Sequence, residues 1–158
     1  MLATRESLLA INATDLMSRD IILVPKEMTM RGAARLLDRA KISGAPVVDD
    51  QGRCIGVISN SDFVRYTEKG ARRKVLNSPT VHSWQIFDAE APPEDCVADV
   101  MTVDPVTAKH HTKIGDLARM MIDAHIHRVI VVDEGNRPIG VVSSTDIIAA
   151  LAHADEAQ

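Results

Sequence analysis

Two short stretches carry residues suited to ligand chemistry, Gly56-Val57-Ile58-Ser59-Asn60-Ser61-Asp62 and Gly140-Val141-Val142-Ser143-Ser144-Thr145-Asp146. Each closes an apolar, β-branched run with Ser-x-x-Asp. A carboxylate accepts two O–H donors at once and so suits the paired hydroxyls of a ribose, while a serine hydroxyl and the free N–H groups of a helix start suit a phosphate. The same spacing is also that of a helix capping box, with Ser59 or Ser143 as N-cap and the carboxylate three residues on. The two readings are compatible, because an empty diol site still caps a helix.

The elements that must hold these stretches are duplicated with them. Residues 17–66 align without a gap on residues 101–150, at an offset of 84 that carries Gly56 onto Gly140. Fifteen of the 50 pairs are identical, among them Met17/Met101, Val47-Val48-Asp49/Val131-Val132-Asp133 and Asp62/Asp146; about 3 are expected from ordinary residue frequencies. Each copy reads β-α-β-β-α. An extended piece (Ile21 to Val24; Val106 to Ala108) leads to a capping threonine, Thr29 or Thr112. An amphipathic helix follows, with Met30, Ala33, Ala34, Leu37 and Ala40 on one face, or Ile114, Leu117, Ala118, Met121 and Ala124. Then come a strand (Pro46 to Asp49; Val129 to Asp133), a tight turn at Gly52 or Asn136, a strand (Cys54 to Ser59; Pro138 to Ser143) and a closing helix near Ser61 or Thr145. A unit of about 50 residues is too small to bury a good core alone, so the expected fold is α/β (α+β), two β-α-β-β-α repeats packed as a pseudo-twofold pair. The expected divisions are an N-terminal helix and lead-in (1–16, the helix over 3–12), a first repeat (17–69), a connector (70–96), a second repeat (97–152) and a fraying tail (153–158).

Composition narrows the classes. The 158 residues are 46% apolar with only two Phe, one Trp and one Tyr, so the core is aliphatic. A net charge of −4 argues against a nucleic-acid partner. Cys54 and Cys96 form neither a disulfide framework nor a zinc spacing, and read as thiols in a reducing compartment. The opening Met1-Leu2-Ala3-Thr4-Arg5 lacks the apolar core of a signal peptide, and no run approaches the length of a membrane span, so the expected location is cytoplasmic, with no membrane. The six histidines, His110-His111 and His125/His127 among them, meet no Cys or carboxylate at metal spacing. No nucleophile stands beside a base and no phosphate loop is present, so no catalytic residues are assigned and the chain does not read as an enzyme.

Both copies resemble CBS domains, the modules named after cystathionine β-synthase. The resemblance rests on the openings Met17-Ser18 and Met101-Thr102-Val103-Asp104-Pro105 and on the middle stretches Gly44-Ala45-Pro46-Val47-Val48-Asp49 and His127-Arg128-Val129-Ile130-Val131-Val132-Asp133, together with the Gly-Val-Ile/Val-Ser-x-x-Asp endings. It implies a stand-alone tandem pair with two clefts that senses an adenine nucleotide (AMP, ADP or ATP) or S-adenosylmethionine as a regulatory ligand, with no required cofactor or metal, and that signals to a regulated protein partner. Carried over, Asp62 and Asp146 hold the ribose, and Ser59, Ser143 and Thr145 sit near the phosphate. The base lies against Ile22 and Val24 in one cleft and Val106 and Ala108 in the other. His127-Arg128 matches a basic pair that meets phosphates. The first copy has Ser43-Gly44 there, so the clefts are expected to be unequal. The resemblance, and helix faces more aliphatic than one small pair can bury, imply a homodimer. Two other readings stand beside this one: an interaction or scaffold module with vestigial clefts, and a nucleotide hydrolase.

Overall fold

The computed structural model describes residues 8–77 and 95–156. In chain order the elements are α1 (Ala13–Leu16), β1 (Val24–Pro25), α2 (Met30–Ala40), β2 (Gly44–Val48), β3 (Cys54–Ser59), α3 (Asn60–Asn77), α4 (Val97–Val100), β4 (Thr102–Val103), β5 (Thr107–Lys109), α5 (Ile114–Asp123), β6 (Arg128–Val132), β7 (Pro138–Ser143) and α6 (Ser144–Glu156). The β-α-β-β-α order is present twice. Of the helix expected over 3–12, residues 8–10 are helical and residues 3–7 lie outside the described residues, as does 78–94 of the connector. The final helix continues through His153 to Glu156.

The chain divides into two compact units that do not follow the two sequence copies. One contains Met1–Ile22, Val48–Ile55 and Asp104–Gln158; the other contains Leu23–Val47 and Gly56–Val103. In each, the lead-in of one copy is sewn onto the body of the other. In the first unit Ala13 N–H donates to Thr112 O (2.8 Å) and Thr14 N–H to His110 O (3.0 Å), and Ser18 bridges Val141. In the second unit the residues 84 positions away repeat the pattern: Val97 N–H donates to Met28 O (2.8 Å) and Ala98 N–H to Lys26 O (3.0 Å). The lead-in helices are only one turn each. Asn12 caps α1, accepting from Thr14 N–H while Asp15 accepts from Asn12 N–H.

This arrangement explains the glycine of each motif. A Cβ on Gly140 would lie 2.5 Å from Met17 Sδ, and one on Gly56 would lie 2.5 Å from Met101 Sδ and 2.9 Å from Thr102 O. Any side chain there would push the lead-in off the strand, so the opening methionine and the glycine belong to one packing contact.

In the first unit the sheet runs β5-β6-β7, with β5 parallel and β7 antiparallel to β6. Its core holds Ala13, Met17, Ala108, Ile114, Leu117, Met121, Val129, Val131, Val142 and Ile147. Strand β7 alternates buried and half-buried residues, so Val142 enters the core while Val141 and Ser143 face away from it. The other sheet has the order β1-β2-β3-β4, with Gly56 opposite Val103 and Val57 opposite Thr102. Val24, Ala33, Val47, Ile58 and Val97 are fully buried in the second unit.

The turns follow backbone chemistry. Gly52 (φ 75°) and Asn136 (φ 61°) occupy the same left-handed turn position of the two copies, where glycine and asparagine are tolerated best. Asp49 closes the first turn by accepting from Gln51 N–H, Arg53 N–H and Arg53 Nε. The Arg53 backbone N–H, with lesser help from the Arg53 side chain and Gln51 N–H, holds its carboxyl below the ordinary value. One expected cap does not form. Thr112 accepts from Lys109 N–H, and Lys113 is the N-cap of α5 without a side-chain bond, whereas Thr29 does cap α2 by accepting from Gly32 N–H (3.1 Å). The N-caps Thr29 and Lys113 hold the same position of the two copies, and Thr112 falls one residue before it, so its hydroxyl serves the turn rather than the helix.

Candidate functional site

Both Ser-x-x-Asp motifs sit where a strand hands over to a helix, β3 to α3 and β7 to α6. Both are built as caps through one carboxylate oxygen. Asp146 Oδ2 accepts from Ser143 N–H and Ser143 Oγ–H, each at 2.7 Å, and Asp146 N–H donates back to Ser143 Oγ at 3.2 Å. Asp62 Oδ2 accepts from Ser59 N–H and Ser59 Oγ–H, each at 2.8 Å. The capping reading thus accounts for half of each carboxylate.

The other oxygen distinguishes the copies. Asp62 Oδ1 accepts from the Arg65 guanidinium and from Thr102 Oγ–H at 3.1 Å, and the side chain is 1% exposed. Asp146 is only half-buried, and its Oδ1 accepts from no group among the described residues. The residue that corresponds to Arg65 is Ala149, and the one that corresponds to Thr102 is Ser18.

Around Asp146 the first unit gathers most of the other expected residues. Arg128 begins β6 directly opposite Ser143 of β7, so the two side chains stand on the same sheet face. Ser144 N–H donates to His127 O at 2.9 Å, which fixes His127 beside the first turn of α6. His127, Arg128 and Thr145 are exposed, and none of their side chains has a partner among the described residues. A cation, a hydroxyl, the open end of a 13-residue helix and a half-free carboxylate are thereby brought into one neighbourhood. At the corresponding place in the second unit Asn60 N–H donates to Ser43 O, with no charged side chain at Ser43 or Gly44.

The residues expected to meet a base divide by burial. Val24 is 0% and Ala108 5% exposed, so both belong to the sheet cores; Ile22 and Val106 keep some surface. Val106 packs against the core of the first unit. Sequence reading missed Arg65 and Thr102. Arg65 had a visible signal, since Asp62 and Arg65 stand three apart at a helix start, the spacing at which side chains meet.

An open cavity of about 410 Å³ lies in the first unit, lined by Cys54, Ile55, Asp104, Pro105, Thr107 and Asn136. Cys54 opens β3, whereas the motif serine closes it, so this cavity is not at the Ser-x-x-Asp chemistry. Among the described residues no cluster of three or more His, Cys, Asp or Glu is placed to hold a metal ion, and no helix is long and apolar enough to cross a membrane.

Comparison with known proteins gives a consistent result. The family model described as "CBS domain" matches residues 13–69 and 97–153. The uncharacterized protein MJ1426 of Methanocaldococcus jannaschii is 33% identical over 160 residues, covering 90% of this chain and 95% of the relative. The crystal structure of CBSX2 from Arabidopsis thaliana in complex with AMP superposes with a TM-score of 0.71 at 22% identity, covering 91% of this chain and 98% of the other. The cytosolic domain of the Mg2+ channel MgtE, in complex with ATP, has a TM-score of 0.66 at 27% identity, covering 87% of this chain and 48% of that one.

Proposed function

This chain belongs to the CBS domain family, and we propose that it is a regulatory module that senses an adenine nucleotide or related adenosyl ligand and passes the bound state to a protein partner. The observation that carries the proposal is the open oxygen of Asp146 beside Ser143 and Arg128 within one unit. The carboxylate suits a ribose diol. The exposed guanidinium and the first turn of α6 suit a phosphate. Ile22 and Val106 offer apolar surface to a base. The complexes of CBSX2 with AMP and of the MgtE domain with ATP support adenine nucleotides as the class. Ser143 Oγ–H is engaged in the cap on Asp146 Oδ2, and the role assigned is binding rather than turnover, in the cytoplasm.

The test is a thermal-shift panel of AMP, ADP, ATP, S-adenosylmethionine and adenosine. A ligand at 100 times its Kd adds about 2.7 kcal/mol of stability, a clear rise in melting temperature. No shift with any of them would favour a scaffold; steady release of product from ATP or AMP would favour an enzyme. Within the panel, Arg128→Ala is expected to weaken AMP by about 1.5–3 kcal/mol, the contribution of a charged hydrogen bond, and to leave adenosine nearly unchanged. Calorimetry on both ligands checks this, and equal losses for the two would remove Arg128 from the phosphate.

We also propose a homodimer. Ile148 (63% exposed) and Leu151 (48%) stand three apart on α6, and Ile122 on α5 is 70% exposed. Sedimentation is expected to give twice the 17.2 kDa chain mass at micromolar concentration, and the chain mass for Ile148→Glu/Leu151→Glu. A clean monomer of the unaltered protein would end this proposal.

A further inference from the structure

We infer that Arg65 closes the first copy to ligand, so that the chain binds one diol-bearing ligand, at Asp146; the inference rests on the adenosyl-ligand reading above. An ionised carboxylate has about four lone-pair positions for hydrogen bonds. Asp62 has all four occupied, by Ser59 N–H, Ser59 Oγ–H, the Arg65 guanidinium and Thr102 Oγ–H. Asp146 has two occupied, both on Oδ2.

The difference is electrostatic as well as geometric. Asp62 is almost fully buried, and Arg65 neutralises it. A ribose brings two neutral hydroxyls, so displacing Arg65, itself largely exposed, would leave the buried Asp62 charge without its counter-ion. Thr102 adds a second function. It lies in β4, opposite Val57 of β3, and its hydroxyl receives a 3.4 Å contact from Arg65. Asp62, Arg65 and Thr102 therefore form a clasp that fastens the lead-in Val97–Val103 to the strand–helix junction of its unit. Around Asp146 the clasp is missing because Ala149 has no cation to offer. The copy that lacks the clasp is also the copy that carries His127-Arg128.

Two reciprocal variants test this, with AMP as the probe and adenosine as its unphosphorylated control. Calorimetry of the full chain is expected to give one AMP per chain. Arg65→Ala is expected to give two, the added site being at least about 10-fold weaker because no arginine serves a phosphate there. Ala149→Arg is expected to reduce the count to zero by building the clasp on Asp146. A ligand-free measurement accompanies these. Arg65→Ala should lower the melting temperature by roughly 5–15 °C, as expected when a buried carboxylate loses its partner, and Ala149→Arg should not lower it. Two AMP per unaltered chain would overturn the clasp and leave the adenosyl reading standing. No binding by the unaltered chain, with one AMP bound by Arg65→Ala, would support the clasp and sink the assignment of Asp146. No binding by either, with unchanged melting in Arg65→Ala, would overturn both.

Discussion

Asp146→Ala is expected to remove measurable binding of both AMP and adenosine. The carboxylate presents two unoccupied acceptor positions on Oδ1. Two charged hydrogen bonds to a ribose diol together contribute about 3–6 kcal/mol, which is roughly 150-fold to more than 10⁴-fold in Kd. Because both ligands carry the diol, both should lose alike, in contrast to Arg128→Ala. The alanine variant also strips a cap from α6, at about 0.5–2 kcal/mol of stability. Asp146→Asn separates the two effects. Its amide oxygen still accepts from Ser143 N–H, so the junction of β7 and α6 keeps its cap. What remains for the diol is a neutral group with a donor where an acceptor is needed. Asp146→Asn should therefore lose nearly as much affinity as Asp146→Ala while melting close to the unaltered protein. Retention of adenosine binding within a few-fold in Asp146→Asn would show that the diol is held elsewhere.

The fold was legible from sequence because it was written twice. Helix periodicity and β-branched runs in one copy were checked by the other, and β3 and β7 fall at the expected residues, Cys54–Ser59 and Pro138–Ser143. Shorter elements escaped for physical reasons. The one-turn helices α1 and α4 have no room for a periodic apolar face; only the Asn12-x-x-Asp15 and Cys96-x-x-Asp99 spacings announce them. The lead-ins lie on the opposite copy, a long-range choice that no local pattern encodes. It becomes intelligible once Met17 is seen against Gly140 and Met101 against Gly56. The candidate site was legible as to the type of its residues. The clefts were expected to be unequal on the strength of His127-Arg128 against Ser43-Gly44, while the identity of Asp62 and Asp146 hid a second difference. The distinction lies three residues on, at Arg65 against Ala149, where the copies differ. A duplicated motif fixes what a residue can do; its neighbours on the next helical turn decide whether it is free to do it.

Leu117→Ala carries the largest expected cost to folding. Leu117 is 0% exposed, on α5, and belongs to the cluster that holds Val129 and Val131 of β6 and Val142 of β7. These two strands present Arg128 and Ser143. Truncating a buried leucine removes transfer free energy and leaves a cavity, about 2–5 kcal/mol together, a large fraction of the roughly 5–15 kcal/mol that stabilises a domain. The first copy has Ala33 at this position, also 0% exposed. An alanine is therefore compatible with the fold, but only where the surrounding volume was built for it. The converse change, Ala33→Leu, should overpack and cost about 1–3 kcal/mol. In urea, Leu117→Ala should lower the midpoint without altering the slope, since the same surface is exposed on unfolding. None of the proposed ligand residues lies on α5, so AMP affinity measured well below the melting transition should stay within about two-fold of the unaltered protein, a difference of less than 0.5 kcal/mol. A large loss of affinity in the still-folded variant would mean that the β6–β7 register, and with it the placement of Arg128 against Ser143, depends on this one side chain.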